Sequence, residues 1–338
     1  MTPAEDRSIE RIAVLGGGAW GTALALVAAR AGREVRLWAR DADTVRKLNE
    51  DHANPRYLPG VTIDPPLFAT TDLDTALEGA EAVLLVTPAQ TTRAMAEALA
   101  PRLAPGTPVI LCAKGIERDT GLLLGDVLRE AAPGVMPAVL SGPSFAGDVA
   151  RGLPTAVTIA ASDGAVADRL SAALASPQFR PYAATDLTGV QIGGALKNVL
   201  AIACGAVAGK QWGASALAAL TARGFAELTR LGLALGASRE TLAGLSGLGD
   251  LVLTCGSAQS RNFAFGQALG EGASVAALMA EGHKLAEGVH SAAVAETLAA
   301  RHGVELPICR AVSAVLDSRL SIDDALTTLM TRPLKREA

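Results

Sequence analysis

Hydrophobic residues follow two patterns along the chain, and the pattern changes near Thr188. Before this point, short apolar runs alternate with helical stretches, as in parallel sheets covered on both faces. Beyond it, apolar residues recur at helical spacing and strand-like runs stop. We predict an α/β domain with a mostly parallel sheet over 1–188 and an all-helical C-terminal domain over 189–338. The predicted strands include 12–15, 34–38, 82–87, 108–112, 138–140, 155–161 and 179–183, and the predicted helices of the second half are 190–209, 213–236, 239–245, 263–269, 274–280, 288–302, 307–317 and 321–329.

The longest apolar segment, 189–209, contains a single charged residue, Lys197. On helical spacing the lysine shares a face with small residues such as Gly193 and Ala201, so another backbone or a ligand can approach it closely. Burial disfavours the charged ammonium, which suits a lysine that exchanges protons. The alternative is a lysine whose stem is buried and whose head reaches water.

The strand 12–15 ends in Gly16-Gly17-Gly18-Ala19-Trp20-Gly21 and is followed by a helical segment. Gly16, Gly18 and Gly21 match GxGxxG, whose glycines allow a tight turn, close approach to a pyrophosphate and close helix–strand packing. The helix N-terminus would hold the phosphates. We interpret 1–188 as a Rossmann-type NAD(P)-binding domain, with a purely structural turn as the alternative.

The second predicted strand ends in Ala39-Arg40-Asp41. An acidic residue there would accept a hydrogen bond from a ribose 2′-hydroxyl, whereas an arginine can pair with a 2′-phosphate. Arg40 therefore favours NADP, while Asp41 keeps NAD open. A solvated charge pair at a helix start is the alternative.

Polar residues follow two further predicted strands. Lys114 comes after strand 108–112, and Gly142 and Ser144 come after strand 138–140. Ligands of open α/β sheets collect at the carboxyl ends of strands, so these residues are candidates for substrate binding. A surface lysine and an ordinary turn are the alternatives.

In the helical half, 247–262 is predicted to be a polar loop between helices. Its Arg261 has a planar fork that suits a phosphate. Asp250 would either hold the ammonium of Lys197 or accept from a substrate hydroxyl. The alternative is a loop that only connects helices.

The composition narrows the class of protein. The formal net charge of -4 argues against nucleic acid or anionic membrane as the main partner. Four widely spaced cysteines imply neither a disulfide framework nor a zinc site, which fits a reducing cytoplasm. The polar N-terminus lacks a signal-peptide core, and polar residues make 189–209 a poor transmembrane candidate. We expect a cytoplasmic protein with no membrane span.

Six motifs occur in order: GGGAWGTALA, AKGI, SGPSFA, GGALKN, GLGDLVLTC and QSRN. With these motifs the chain resembles the bacterial NAD(P)-dependent glycerol-3-phosphate dehydrogenase family over essentially its whole length. The resemblance implies reversible reduction of dihydroxyacetone phosphate to sn-glycerol 3-phosphate with NADP or NAD, supplying glycerophospholipid synthesis. It also makes a homodimer a candidate assembly.

The resemblance also implies roles for individual residues. Lys197 would accept the proton of the C2 hydroxyl in oxidation and donate it in reduction, without a metal. Ala19 stands where the family often has serine, Leu285 where it often has valine, and 263–265 where relatives are often arginine-rich. The implied substrate contacts are Lys114, Gly142, Ser144, Lys197, Asp250, Ser260, Arg261 and Asn262. The implied cofactor contacts are Gly16, Gly18, Ala19, Trp20, Gly21, Arg40, Lys114, Ala146, Arg261, Leu285 and Glu287.

Three other functions are alternatives to this one. A dehydrogenase of the same plan acting on a hydroxy acid or ketopantoate would need a carboxylate clamp near Lys197. A nucleotide sensor without catalysis would have no use for Lys197, Asp250 and Lys114 together. A methyltransferase would leave the helical half without a role.

Overall fold

The computed structural model describes residues 8–280, 287–334 and 336, which form two compact units. Among these residues the first unit comprises 8–114 and 122–191, and the second comprises 115–121 and the described residues from 192 onward. The assignment of cofactor binding to 1–188 and of substrate binding and catalysis to 189–338 stays a prediction.

The first unit is built on a single sheet. Within the described residues eight strands lie in the order β3-β2-β1-β4-β5-β6-β7-β8, and every neighbouring pair is parallel except β6 and β7. This arrangement confirms the predicted mostly parallel sheet. The strands are β1 Arg11–Leu15, β2 Glu34–Trp38, β3 Phe68–Thr70, β4 Ala82–Leu85, β5 Pro108–Leu111, β6 Met136–Ser141, β7 Thr155–Ala161 and β8 Phe179–Ala184.

Both faces of the sheet are covered. In β1, Ile12 and Val14 belong to the hydrophobic core on one face, and Ala13 and Leu15 belong to the core on the other. This double burial explains why the strands read as continuous apolar runs. The helices of this unit are α1 Ala19–Arg30, α2 Ala42–Glu50, α3 Leu73–Leu77, α4 Thr92–Leu99, α5 Leu124–Ala131, α6 Ala146–Ala150 and α7 Gly164–Leu174.

The second unit is helical in the described residues. The predicted polar loop over 247–262 is wrong in part, because its middle is a helix, α11, whose buried Leu251 and Cys255 lie one turn apart. The small residues of GLGD concealed that periodicity. The helices are α8 Leu187–Gly209, which begins in the first unit, α9 Ala214–Ala234, α10 Arg239–Ala243, α11 Asp250–Cys255, α12 Arg261–Gly270, α13 Val275–Ala280, α14 Glu287–Arg301, α15 Pro307–Leu316 and α16 Ile322–Met330.

Helix α8 packs against α12 through glycines. A Cβ at Gly205 would overlap the carbonyl oxygen of Phe263, and a Cβ at Gly266 would overlap the carbonyl oxygen of Ile202. The two helix backbones are therefore in direct contact. By length and composition α8 could also cross a membrane, with a mean hydropathy of 1.5, but 78% of the relevant window is buried inside the protein. Such burial is typical of a core helix.

Candidate active site

Lys197 is the centre of a buried polar cluster in the second unit. Its Nζ lies 2.5 Å from Oδ1 of Asp250 and 2.9 Å from Oγ1 of Thr254. Asp250 begins α11 and Thr254 follows one turn later, so the two side chains point to the same side of this helix. The lysine therefore meets a carboxylate and a hydroxyl from one helical face.

Close contact between backbones brings α8 to this position. A Cβ at Gly193 would overlap the carbonyl oxygen of Ser246, which lies just before α11. Gly193 is one turn before Lys197 on α8, so the absence of a side chain there lets α8 approach the start of α11. The small-residue face predicted from the sequence thus serves the approach of another backbone.

Removing either charged member of this cluster would leave the other one buried without its partner. Lys197 is 7% exposed and Asp250 is 0% exposed. The carboxylate offsets the cost of desolvating the ammonium, and removing one member of a buried pair typically costs about 3–5 kcal/mol. Thr254 was missed in the sequence because 247–262 was interpreted as a loop; a helix starting at Asp250 would have indicated it.

Two cysteines lie close to this cluster. Sγ of Cys204 is 3.5 Å from Oγ1 of Thr221. The hydrogen bond between Cys204 and Cys255 lowers the pKa of the Cys204 thiol, and this bond together with burial raises the pKa of the Cys255 thiol. Both thiols are part of the packed interior around α8.

The start of α14 is tied to two other helices. Nδ2 of Asn198 donates to Oε2 of Glu287 at 3.5 Å, and Oδ1 of Asn262 accepts from the backbone N–H of Gly288 at 3.0 Å. A Cβ at Gly288 would lie 2.5 Å from the carbonyl oxygen of Asn198. Glu287 and Asn262, two candidate binding residues, are therefore brought together with the residue next to Lys197.

The N-terminus of α12 has the chemistry of an anion site. Oγ of Ser260 accepts from the backbone N–H of Phe263 at 3.3 Å and so caps this ten-residue helix. Arg261 is exposed in its first turn. An arginine fork beside helix N–H groups favours phosphate.

In the first unit the structure brings Lys114, Gly142 and Ser144 together. Nζ of Lys114 and Oγ of Ser144 donate to the carbonyl oxygen of Gly142, at 3.2 Å and 3.1 Å. Gly142 has a φ of 153°, and a Cβ there would lie 2.8 Å from Cα of Val157. A side chain cannot replace this glycine without moving β7. Ala146 begins α6 shortly after this group.

The glycines of the GxGxxG loop differ in their surroundings. Gly16 has a φ of 133°, and a Cβ there would lie 2.9 Å from the carbonyl oxygen of Val86. At Gly21 a Cβ would overlap the carbonyl oxygen of Gly16. Gly18 has an ordinary φ of -75° and open space where a Cβ would be. Among these three glycines, Gly18 alone has neither an unusual φ nor a neighbouring protein atom that requires glycine. The open space at Gly18 fits the close approach of a cofactor.

The rest of the predicted cofactor region also fits a dinucleotide. Helix α1, whose first residues are Ala19 and Trp20, has no side-chain cap, so its N-terminus offers backbone N–H groups to phosphates. Within the described part of the chain, the buried Nε1 of Trp20 has no hydrogen-bond partner. A bound group would satisfy these donors.

Both carboxylate oxygens of Asp41 have partners within the protein. Its Oδ1 accepts from the N–H groups of Asp43 and Thr44, at 2.9 Å and 3.4 Å, and caps α2. Its Oδ2 pairs with Arg56 at 2.9 Å. Arg40 is exposed at the end of β2. The end of β2 therefore carries an exposed arginine next to an aspartate whose carboxylate already has protein partners.

The candidate residues are divided between the units. Leu285 lies outside the described residues. The first unit contains Gly16, Gly18, Ala19, Trp20, Gly21, Arg40, Lys114, Gly142, Ser144 and Ala146, and the second contains Lys197, Asp250, Ser260, Arg261, Asn262 and Glu287.

Comparison with known proteins covers nearly the whole chain. Residues 11–167 match the family model for the N-terminus of NAD-dependent glycerol-3-phosphate dehydrogenase, and residues 186–327 match the model for its C-terminus. The glycerol-3-phosphate dehydrogenase [NAD(P)+] of Parvibaculum lavamentivorans is 57% identical over 97% of this chain and 98% of its own length. That of Azorhizobium caulinodans is 59% identical over 98% of this chain and 99% of its own length.

A solved structure of a relative has the same fold over nearly its whole length. The crystal structure of glycerol-3-phosphate dehydrogenase from Coxiella burnetii is 39% identical, with a TM-score of 0.90 over 96% of this chain and 99% of that one. Two family models that together cover most of the chain, and relatives above 50% identity, establish what the six motifs indicated. The chain belongs to the NAD(P)-dependent glycerol-3-phosphate dehydrogenase family.

Proposed function

We propose that this chain catalyses the reversible reduction of dihydroxyacetone phosphate to sn-glycerol 3-phosphate with NADPH or NADH. Family membership supports the reaction, and the buried Lys197–Asp250 pair is the observation that carries its chemistry. The product would supply glycerophospholipid synthesis in the cytoplasm.

Lys197 is the proposed proton donor in reduction and proton acceptor in oxidation. Negative charge develops on the C2 oxygen of the ketone during reduction, and an ammonium can both stabilise this charge and transfer a proton to the oxygen. Asp250 and Thr254 hold Nζ in place by their contacts of 2.5 Å and 2.9 Å. Asp250 also stabilises the ammonium form inside the protein.

The remaining proposed substrate contacts bind and orient the phosphate and hydroxyl groups. In the second unit, Arg261 at the start of α12 is the proposed phosphate ligand, with Ser260 capping this helix and Asn262 holding the start of α14. In the first unit, Lys114 and Ser144 are the proposed polar contacts beside Gly142. Phosphate binding remote from C2 lends binding energy for orientation of the reacting carbon.

The proposed cofactor site lies in the predicted 1–188 domain. The glycine loop and the uncapped start of α1 would hold the pyrophosphate, and Trp20 and Ala146 are further proposed contacts there. Glu287 is a proposed contact that the second unit contributes. When bound, the nicotinamide cofactor supplies or accepts the hydride. We favour NADP over NAD, because Asp41 is occupied by α2 and Arg56 while Arg40 is exposed. A homodimer is also part of this proposal, and light scattering of the purified protein tests it.

The decisive experiment follows the absorbance of reduced cofactor with purified protein. We expect turnover with dihydroxyacetone phosphate and NADPH, slower turnover with NADH, and none with unphosphorylated dihydroxyacetone or ketopantoate. Turnover that does not depend on the phosphate contradicts the proposed substrate. Equal efficiency with NADH and NADPH contradicts the cofactor preference alone.

A further inference from the structure

A buried asparagine outside the predicted site contacts the glycine loop. Asn54 lies in the segment after α2 and is 1% exposed. Its Nδ2 donates to the carbonyl oxygen of Gly17 at 3.0 Å and to Oγ1 of Thr22 at 2.8 Å. The Gly17 carbonyl can only accept, so the amide must present its NH₂ group to the loop.

This contact fixes the orientation of one peptide group. The carbonyl of Gly17 and the N–H of Gly18 belong to the same planar trans peptide and point in opposite directions. Because Asn54 holds the oxygen, the N–H of Gly18 is directed away from Asn54. Glycine on both sides makes rotation of this peptide cheap, so its orientation needs an external contact.

The segment that carries Asn54 is itself held in place. The backbone carbonyl of Asn54 accepts from the N–H groups of Tyr57 and Leu58, at 3.1 Å and 2.7 Å. Arg56 pairs with Asp41 at 2.9 Å, which ties the segment to the start of α2. These contacts fix the backbone around Asn54 and so fix the position of its side chain beside the loop.

We propose that Asn54 is a positioning residue for the cofactor: it sets the Gly17–Gly18 peptide so that the N–H of Gly18 faces the pyrophosphate. The inference rests on the proposed dinucleotide binding at this loop. It goes beyond the six family motifs, none of which includes the segment after α2.

The critical variant is Asn54→Asp, which keeps the shape of the side chain and removes the donor. A carboxylate facing the Gly17 carbonyl is repelled, and it is satisfied if the peptide rotates and the N–H of Gly18 turns toward residue 54. We expect the Kd for NADPH to rise about tenfold to a hundredfold, as for the loss of a hydrogen bond to a charged group. Titration by energy transfer from tryptophan to NADPH measures this constant without turnover.

Two controls separate positioning from general damage. Thr22→Val removes the other acceptor of Nδ2 and leaves the Gly17 contact; we expect it to change the Kd less than about threefold. Asn49→Asp disturbs a more exposed amide, whose Nδ2 donates to the carbonyl oxygen of Ala69 at 2.9 Å and whose Oδ1 accepts from the N–H of Ala69 at 2.8 Å. It should lower thermal stability without weakening NADPH binding.

Steady-state kinetics provide a second readout. Asn54→Asp should raise KM for NADPH while kcat and KM for dihydroxyacetone phosphate change little, and Asn54→Ser, which keeps a short donor, should recover part of the affinity. Wild-type affinity in folded Asn54→Asp, or an equal loss of affinity in Thr22→Val or Asn49→Asp, overturns the inference and leaves the proposed function standing. A wild-type protein that binds no NADPH overturns both.

Discussion

Gly18 of the first unit and the α8 glycines of the second unit serve opposite purposes. In the first unit, the glycine loop combines a φ of 133° at Gly16 with open space at Gly18, which leaves backbone N–H groups accessible. In the second unit, Gly193 and Gly205 lie against the backbones of neighbouring segments, and no space remains. The same residue type therefore leaves the backbone accessible at Gly18 and lets two backbones touch at Gly193 and Gly205.

Helix starts in the chain also differ in how far away the capping residue lies in the sequence. In the first unit, Asp41, Asp72 and Asp163 are local caps of α2, α3 and α7. In the second unit, α15 is capped by the buried Glu227 of α9, whose carboxylate accepts from the N–H groups of Ile308 and Cys309 at 2.7 Å and 3.3 Å. Local caps can be read from adjacent residues, whereas the Glu227 cap depends on packing of two distant helices.

The largest expected effect tests whether the chemistry proposed for Lys197 can be separated from the cofactor binding proposed for the glycine loop. Lys197→Met should lower kcat roughly 10²–10⁴-fold, the usual contribution of a positioned acid or base. The Kd for NADPH should stay close to wild type, because the glycine loop lies in the other unit. Initial rates and NADPH titration measure the two quantities.

Lys210→Met is the matched control for this variant. Lys210 follows the end of α8 and pairs with Asp323 at 2.7 Å, but it is partly exposed. The Lys210→Met variant should have the kcat of wild type.

A second control addresses the partner of Lys197. Because Lys197→Met leaves Asp250 buried without its partner, the double variant with Asp250→Asn is measured as well. Near-normal kcat in either Lys197 variant contradicts the proposed role.

The next effect tests the close helix contact. Gly205→Ala should destabilise the second unit by about 3 kcal/mol, since a Cβ there overlaps the Phe263 carbonyl and a backbone cannot yield as a side chain can. Urea unfolding followed by circular dichroism measures the loss. Unchanged stability means that α8 and α12 are farther apart in solution than the structure shows.

Gly18→Ala is the counterpart of Gly205→Ala, because we expect it to weaken NADPH binding and to leave stability unchanged. Gly18 has an ordinary φ and open space, so the alanine should leave the free energy of unfolding nearly unchanged. The methyl group should instead obstruct a pyrophosphate and raise the Kd for NADPH about tenfold, or about 1.4 kcal/mol. A variant that loses stability but keeps its affinity contradicts the ligand-facing interpretation of this glycine.

The smallest expected effect is a difference in pH dependence between the two kinds of cap. Burial raises the pKa of Glu227 in the folded chain, so its contribution to stability is fully present below the unfolded pKa and is lost as the pH rises through the folded pKa. Glu227→Gln cannot ionise. The stability of wild type relative to this variant should therefore fall as the pH rises, by at most about 1.4 kcal/mol per pH unit.

Asp72→Asn should show the opposite sign. Hydrogen bonds from Thr75 and from the backbone N–H of Asp74 lower the pKa of Asp72. Its contribution is present above the unfolded pKa and is lost as the pH falls through the folded pKa. Urea unfolding of wild type and both variants across the acid range gives the two slopes, and slopes of the same sign contradict the contrast between the caps.

Several parts of the fold and site were predictable from local patterns. The strand before Gly16 and the helix that follows it are set by short-range periodicity, although α1 begins at Ala19 inside the glycine motif. The apolar run around Lys197 indicates a buried helix. The strand Phe68–Thr70 was missed, because it has three residues and Phe68 is 51% exposed. Helix α11 was interpreted as loop, since small residues hid its periodicity.

The sequence by itself determined the fold class, the glycine loop and the isolated lysine, because each depends on residues near one another in the chain. Only the tertiary structure decided which residues meet across long separations: Lys197 with Asp250, 53 residues apart, and Asn54 with Gly17, 37 residues apart. These partners follow from how helices and loops pack. A local pattern contains no record of the segment that will lie against it, so packing alone selects the carboxylate beside the lysine and the amide beside the loop.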